Sequence, residues 1–201
     1  EAMQQLVNDW ERVCLHPEAD LTKTLVIAHR NEEVEALNTL LRSRRVETGK
    51  IAEGILVNTT QGKINLAVGD RILFLKNDRV LGVANGRFAT VESIDFSKSH
   101  LVFSFSAKLD GSDKVVTINP ASYSDFTYGY AATVHKIQGM TVDQSWVYVG
   151  GKGWNRHLSY VALSRHRHDC QVYADQETHA DFAVLTRRLS RLGLKDSVLD
   201  F

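Results

Sequence analysis

The chain has 201 residues, 43% of them hydrophobic. That is enough for a packed core and leaves little room for wholesale disorder. Lys plus Arg (24) equals Asp plus Glu (24), which excludes a globally basic polyanion binder; any such contact must come from local asymmetry. No apolar run approaches the roughly 20 residues of a membrane span, and no secretory leader opens the chain. The two cysteines, Cys14 and Cys170, lie far apart and form no CxxC, so neither a metal site nor a disulfide framework is expected, and the setting reads as reducing and cytoplasmic. The first residue is Glu, as in a piece of something longer.

Residues 2–13 read as a helix with Leu6, Val7, Trp10 and Val13 on one face. Leu25 to Ala28 is a short unbroken apolar run, suited to a strand covered on both faces of a parallel sheet. Asn31 then reads as the cap of a helix with Glu32 and Glu33 in its first turn, a Val34, Leu37, Leu40 and Leu41 stripe, and Gly49 at its end. Strand followed by helix is half of a βαβ unit.

The character changes from Gly54 to Ile118. Short β-rich runs at 55–57, 71–75, 88–94, 100–106 and 114–118 are separated by Gly69-Asp70, Asn77-Asp78, Asn85-Gly86 and Asp110-Gly111. This spacing predicts a small antiparallel sheet or barrel set into an α/β body. After Tyr128 the α/β pattern returns: a strand ending at 131–134, a loop at 135–139, a strand at 145–149, a helix at 158–165, a strand at 170–174 and a helix at about 178–192 carrying Phe182, Leu185, Leu189 and Leu192.

One stretch is locally basic. Residues 152–168 hold Lys152, Arg156, Arg165, Arg167 and three histidines without an acid; on charge alone this reads as a solvated face. Gly150 to Gly153 (GGKG) lacks the G-x-x-x-x-G-K-[ST] spacing of a phosphate loop and reads as a flexible turn. His166 and His168 have no third ligand at metal spacing. Tyr123, Phe126, Tyr128 and Tyr130 could stack bases, but read better as cover for the seam between body and β-rich segment.

The sequence YAATVHKIQGMT at 130–141, followed by YVALSRHR at 160–167, resembles motifs V and VI of superfamily 1B (RecD-like) DNA helicases. VIAHRNEEVEALN at 26–38 resembles the motif IV region, and GDRILFLKND through LGVANG at 69–86 resembles the entry to an inserted domain. The HLSYVALSRHRHDCQVYA stretch and the tail RRLSRLGLKDSVLDF are most similar to the TraA type of conjugative relaxase-helicase. The resemblance implies an α/β fold: a RecA-like helicase domain 2A at 1–80 and 119–201, without its own P-loop, and a small SH3-like β-barrel, domain 2B, at 81–118. It implies the C-terminal motor lobe of a 5′-to-3′ translocating helicase.

The chemistry of such a lobe needs particular side chains. Charge developing on a hydrolysing γ-phosphate is stabilised by a rigid, permanent guanidinium. Arg165 stands at the matching position for this arginine finger, and Arg30, just past a buried strand, is either a second γ-phosphate contact or a plain surface arginine. By the same resemblance Gln138, Gly139 and Thr141 face the nucleotide, although Thr141 replaces a common acidic residue. Thr133 and His135 contact the backbone of single-stranded DNA, a hydroxyl and an imidazole N–H being donors that do not read sequence. Asn85 and Lys152 are further DNA-side candidates, while Asn85-Gly86 is equally a common hairpin turn.

No Walker A loop or acidic Mg²⁺ pair occurs in the sequence. ATP and Mg²⁺ are therefore expected in the full-length parent and not on this chain alone, which is expected to be inactive by itself. Expected partners are single-stranded DNA, a RecA-like lobe and a relaxase domain of the same polypeptide, and conjugation machinery, with no membrane. Two alternatives stay open: a piece of a RecD-like repair helicase, and a degenerate single-strand-binding module without ATP coupling.

Overall fold

The computed structural model describes residues 1–96 and 103–192. A four-stranded parallel sheet forms the body, built from β1 (Thr24–Ala28), β9 (Ala131–Thr133), β10 (Val142–Val149) and β11 (His166–Ala174) in the order β11-β10-β1-β9. Helices cover both faces, as the unbroken apolar strands require. Alternation along each strand divides the two cores. Val26, Ala28, Trp146 and Tyr148 meet α1 (Ala2–Cys14) and α2 (Asn31–Glu47), with Leu6, Trp10, Leu37 and Leu41 fully buried among them. Leu25, Ile27, Val147 and Val149 face the other way, onto α3 (Arg156–Leu163) through Leu158, Val161 and Ala162. Burying one such side chain contributes about 1.5–3 kcal/mol.

A hairpin of β2 (Ile55–Thr59) and β3 (Gly62–Leu66) follows α2. A five-stranded antiparallel sheet then runs β7-β6-β5-β4-β8, from β4 (Arg71–Phe74), β5 (Phe88–Phe96), β6 (Phe103–Leu109), β7 (Val115–Ile118) and β8 (Phe126–Tyr128). Its core gathers Ile72, Phe74, Phe105, Ile118 and Phe126. Gly129 carries the chain from this sheet to the parallel one: its N–H donates to the Arg71 carbonyl at 2.8 Å, and a Cβ there would stand 2.7 Å from the Ile72 carbonyl. No side chain fits that crossing.

Several expectations shift in detail. The residue capping α2 is Arg30, not Asn31, and the N3 side chain Glu33 accepts from the Arg30 N–H at 3.0 Å. The helix expected at 158–165 ends at Leu163, so Arg165 lies beyond it. The last helix, α4 (Phe182–Leu189), is shorter than 178–192, and two of its stripe residues are exposed, Phe182 at 81% and Leu192 at 70%. The strands β3 and β8 were not evident in the sequence. His100, Leu101 and Val102 of the run at 100–106, and residues 193–201 of the tail, lie outside the described residues.

Candidate functional site

In an open parallel sheet, ligands collect beyond the carboxyl ends of the strands, where successive crossovers depart to opposite faces. Here that point lies between β1 and β10: α2 leaves β1 on one face and α3 leaves β10 on the other. The residues just past the strand ends are His29 and Arg30 after β1, His135 and Lys136 after β9, and Gly150 to Trp154 after β10.

These loops are tied together. Arg30 Nη2 donates to the Lys152 carbonyl at 3.1 Å, and the Gly151 N–H donates to Glu33 Oε1 at 3.1 Å. Glu33 is almost buried and so staples the β10–α3 loop to the start of α2. A side chain at either glycine would push these groups aside. A Cβ on Gly151 would meet the Arg30 guanidinium at 2.5 Å, and one on Gly150 would meet Glu33 Oε1 at 2.6 Å. His29 sits between two rings, 6.2 Å from His135 and 5.9 Å from Trp154. His29 Nδ1 and Trp154 Nε1 are buried without a partner among the described residues, the kind of atom that bound water or ligand satisfies.

An open pocket of about 610 Å³ occupies this edge, lined by His29, Arg30, Thr133, His135 and Lys136 with Asn31 and Glu32. One carboxylate, Glu32, stands among two permanent cations and two imidazoles. It pairs with Arg30 at 3.1 Å and is largely exposed, so the local field stays positive. Burial holds the His29 pKa below its ordinary value; Glu33 pulls it up, while His135 and Arg30 push it down. The arrangement suits phosphate held by cations and neutral donors.

Of the sequence candidates, Thr133, His135 and Arg30 meet in this pocket, and Lys152 is exposed at its rim through its carbonyl bond to Arg30. Asn85 is exposed in the β4–β5 loop. Its neighbour Gly86 lies against the same turn, a Cβ there standing 3.6 Å from the Lys136 carbonyl.

A second group forms at the opposite end of the sheet. Gln138, Gly139 and Thr141 are exposed in the loop before β10, with Gly139 at φ +86°. Arg165 is half-buried beside them. Its Nη1 donates to the Met140 carbonyl at 3.2 Å, its Nε to Val161 O at 2.9 Å and its Nη2 to Ser164 Oγ at 2.8 Å. The Arg165 carbonyl accepts from the Val142 N–H at 2.8 Å, which fixes it at the start of β10.

Arg30 and Arg165 therefore lie past opposite ends of β10, whose eight residues span about 23 Å at roughly 3.3 Å per residue. A γ-phosphate contact by Arg30 together with Arg165, one of the two roles expected for it, would have to bridge this separation. Arg30 joins Thr133 and His135 instead, because β1 and β9 are neighbours running in one direction. The basic stretch 152–168 is likewise no single patch: α3 separates Lys152 from Arg165, and Arg167 pairs with Asp143. Sequence reading missed His29, Lys136, Trp154 and Glu33. Only the position of His29 and Lys136 just after strand-like segments pointed to them.

Among the described residues, no three His, Cys, Asp or Glu side chains are grouped to hold a metal ion, and no helix is long and apolar enough to cross a membrane.

No family model matches the chain. It is 37% identical over 204 residues to the conjugal transfer protein TraA of Agrobacterium fabrum, matching all of this chain and 18% of that protein. It is 30% identical over 132 residues to the ATP-dependent DNA helicase Pif1 of Bdellovibrio bacteriovorus, matching 62% of this chain and 29% of that one. The chain thus spans less than a fifth of its TraA relative. Among solved structures, the Pif1 helicase from Bacteroides in complex with ADP-AlF3 and ssDNA superposes with a TM-score of 0.52 at 18% identity, over 90% of this chain and 48% of that one. At such identity the likeness is one of fold: a mixed α/β lobe of the RecA-like kind found in Pif1 helicases.

Proposed function

We propose that this chain, a homologue of part of the TraA conjugal transfer proteins, is the C-terminal motor lobe of an ATP-dependent 5′-to-3′ DNA helicase within a conjugative relaxase. The supporting observation is the division of the parallel sheet into two ends. One end gathers Arg30, Thr133, His135 and Lys136 around an open cationic pocket; the other gathers Gln138, Gly139, Thr141 and Arg165 around one loop. Single-stranded DNA takes the first, and the γ-phosphate side of ATP the second.

In this reading ATP and Mg²⁺ are held by another lobe of the parent, and this chain alone hydrolyses nothing. ATP closes the cleft between lobes and Arg165 moves onto the γ-phosphate, where a finger of this kind is worth about 10³–10⁵ in rate. The turn from Val134 to Gly139 joins the two ends directly: Val134 N–H donates to Ala28 O at 3.1 Å, and Met140 O accepts from Arg165. Movement at Arg165 is therefore transmitted to Thr133 and His135, and cleft closure shifts the strand. We assign the five-stranded antiparallel sheet, from Arg71 to Tyr128, to the inserted SH3-like module and the parallel sheet with its helices to the RecA-like body; the bounds 81–118 expected from the sequence would leave β4 and β8 outside their own sheet. The remaining partners are the other lobe, a relaxase domain and the conjugation machinery, in the cytoplasm.

One observation favours a second reading. All three Arg165 nitrogens are engaged by the chain's own oxygens, as in a strand-binding module without ATP coupling. The test is single-strand-stimulated ATP hydrolysis by the full-length protein, wild type against Arg165→Ala. The motor reading expects turnover to fall by about 10³ or more with DNA affinity retained. A wild-type protein without DNA-stimulated turnover would establish the second reading instead.

A further inference from the structure

The cationic pocket does not end at the sheet edge. A second cavity of about 580 Å³ shares Asn31, Thr133 and Lys136 with it, so the two adjoin at these residues. This second part runs between α2 and the β2–β3 hairpin. Its helical wall extends from Asn31 to Ser43, about 18 Å at 1.5 Å per residue, which is room for a few nucleotides.

Its chemistry differs from that of the edge. Arg42 is neutralised by the buried Asp70, and the Asn38 amide is committed to the backbone of Tyr130 and Ala131. The exposed groups left are Thr39 and Ser43 on α2, and Leu56, Gln61 and Asn65 on the hairpin. Leu56 is 62% exposed at the rim. Apart from Lys136 at the end shared with the cationic pocket, the charges without an ion pair among the described lining residues are Glu35 and Lys63, of opposite sign. Such a lining is poor for phosphate, which wants cations, and good for bases, which offer flat apolar faces and edges that pair with amides and hydroxyls. The wall is also held in place: Tyr128 Oη donates to the Asn65 carbonyl at 2.5 Å, fastening β3 to β8, and the Arg42 guanidinium covers the Tyr128 ring at 5.3 Å.

We propose that this groove receives the bases of single-stranded DNA whose phosphates are held at the cationic edge. The proposal rests on the motor-lobe reading and adds a base-binding site to it.

The test measures binding of labelled oligothymidylates of increasing length to the full-length protein at one fixed salt concentration. Wild type, Ser43→Trp, which fills the groove from an exposed helix position, and Gln61→Glu, which puts a charge on the exposed hairpin turn, are compared. Affinity is expected to rise with length in the wild type, and both variants are expected to lose about tenfold of that rise while binding the shortest oligonucleotide normally. Oligonucleotides carrying 5-iodouracil are expected to cross-link to peptides from 31–47 or 55–66. A length dependence in both variants equal to that of the wild type overturns the groove and leaves the motor reading intact, as does an equal loss at every length in both. A wild-type protein that binds none of the oligonucleotides overturns the reading beneath it, and the groove with it.

Discussion

Arg42 and Arg30 begin and extend the same helical segment, yet they belong to two kinds of place. Arg42 lies in the seam between α2 and the antiparallel sheet. Its partner Asp70 is fully buried and accepts from Arg42 Nε at 3.0 Å, from Tyr130 Oη at 2.7 Å and from the Ala67 N–H at 2.7 Å. Arg42 Nη2 donates further to the Glu53 carbonyl at 2.8 Å. The Arg42–Asp70 pair is answered on both sides, and of the nearby Arg45, held through Nη1 by the Gly69 carbonyl and Tyr130 Oη, Nε is buried without a partner among the described residues. At the sheet edge, Arg30 meets one solvent-exposed carboxylate and one carbonyl, beside ring nitrogens without partners. The first region holds two structural units in register; the second is left incomplete by the chain itself. Satisfied burial marks a joint, and an unsatisfied cationic edge marks a place for an anion.

The largest effect that would break this contrast is at the joint. Asp70→Ala leaves Arg42 buried without its counter-charge and Tyr130 without its acceptor. Stability is expected to fall by about 3–5 kcal/mol, read by urea denaturation. A loss under about 1 kcal/mol would mean that the seam is wetter and looser than its hydrogen bonding indicates.

A smaller effect comes from two histidines. Burial lowers the pKa of His29, with the opposing and assisting charges given above, and burial followed by Arg188 lowers that of His179, whose ring lies 3.2 Å from the Gly150 carbonyl. Both therefore bind fewer protons in the folded chain than in the unfolded chain below about pH 6.5. Their contribution is present above that pH and is lost as pH falls toward the folded values. Between pH 7.5 and 5.5, where most carboxylates stay ionised, the melting temperature is expected to drop by roughly a few degrees, and by less in His29→Gln. A melting temperature that is flat or rises on acidification would show that neither ring is held neutral. Single-strand affinity should move the other way, because a protonated His29 adds positive charge at the edge.

The body was legible in the sequence because its signals are local. Leu25 to Ala28 are buried on both faces, and the stripes of α1 and α2 recur at helical spacing. The strand β3 (Gly62–Leu66) was not legible, since GKINL carries little apolar pattern and gains its form by pairing with β2, from Thr59↔Gly62 to Ile55↔Leu66. The strand β8 is three residues long and exists through its ladder to β4. The Arg42–Asp70 joint spans 28 residues, beyond any periodicity. At the candidate site, Thr133, His135 and Arg165 could be named from motif spacing. That Arg30 belongs with the first two could not, because it depends on the strand order β11-β10-β1-β9.

Arg30 is accordingly the most direct test of the central claim, that the two ends of the parallel sheet serve different ligands. The measurement is the salt dependence of single-stranded DNA binding by the full-length protein, wild type against Arg30→Ala. If the carboxyl-end edge holds phosphate, the variant stays within about 0.5 kcal/mol of wild-type stability, binds more weakly, and loses roughly one contact's worth of salt slope. An unchanged slope and affinity, with turnover at saturating DNA collapsing as in Arg165→Ala, would put Arg30 at the nucleotide and contradict the account.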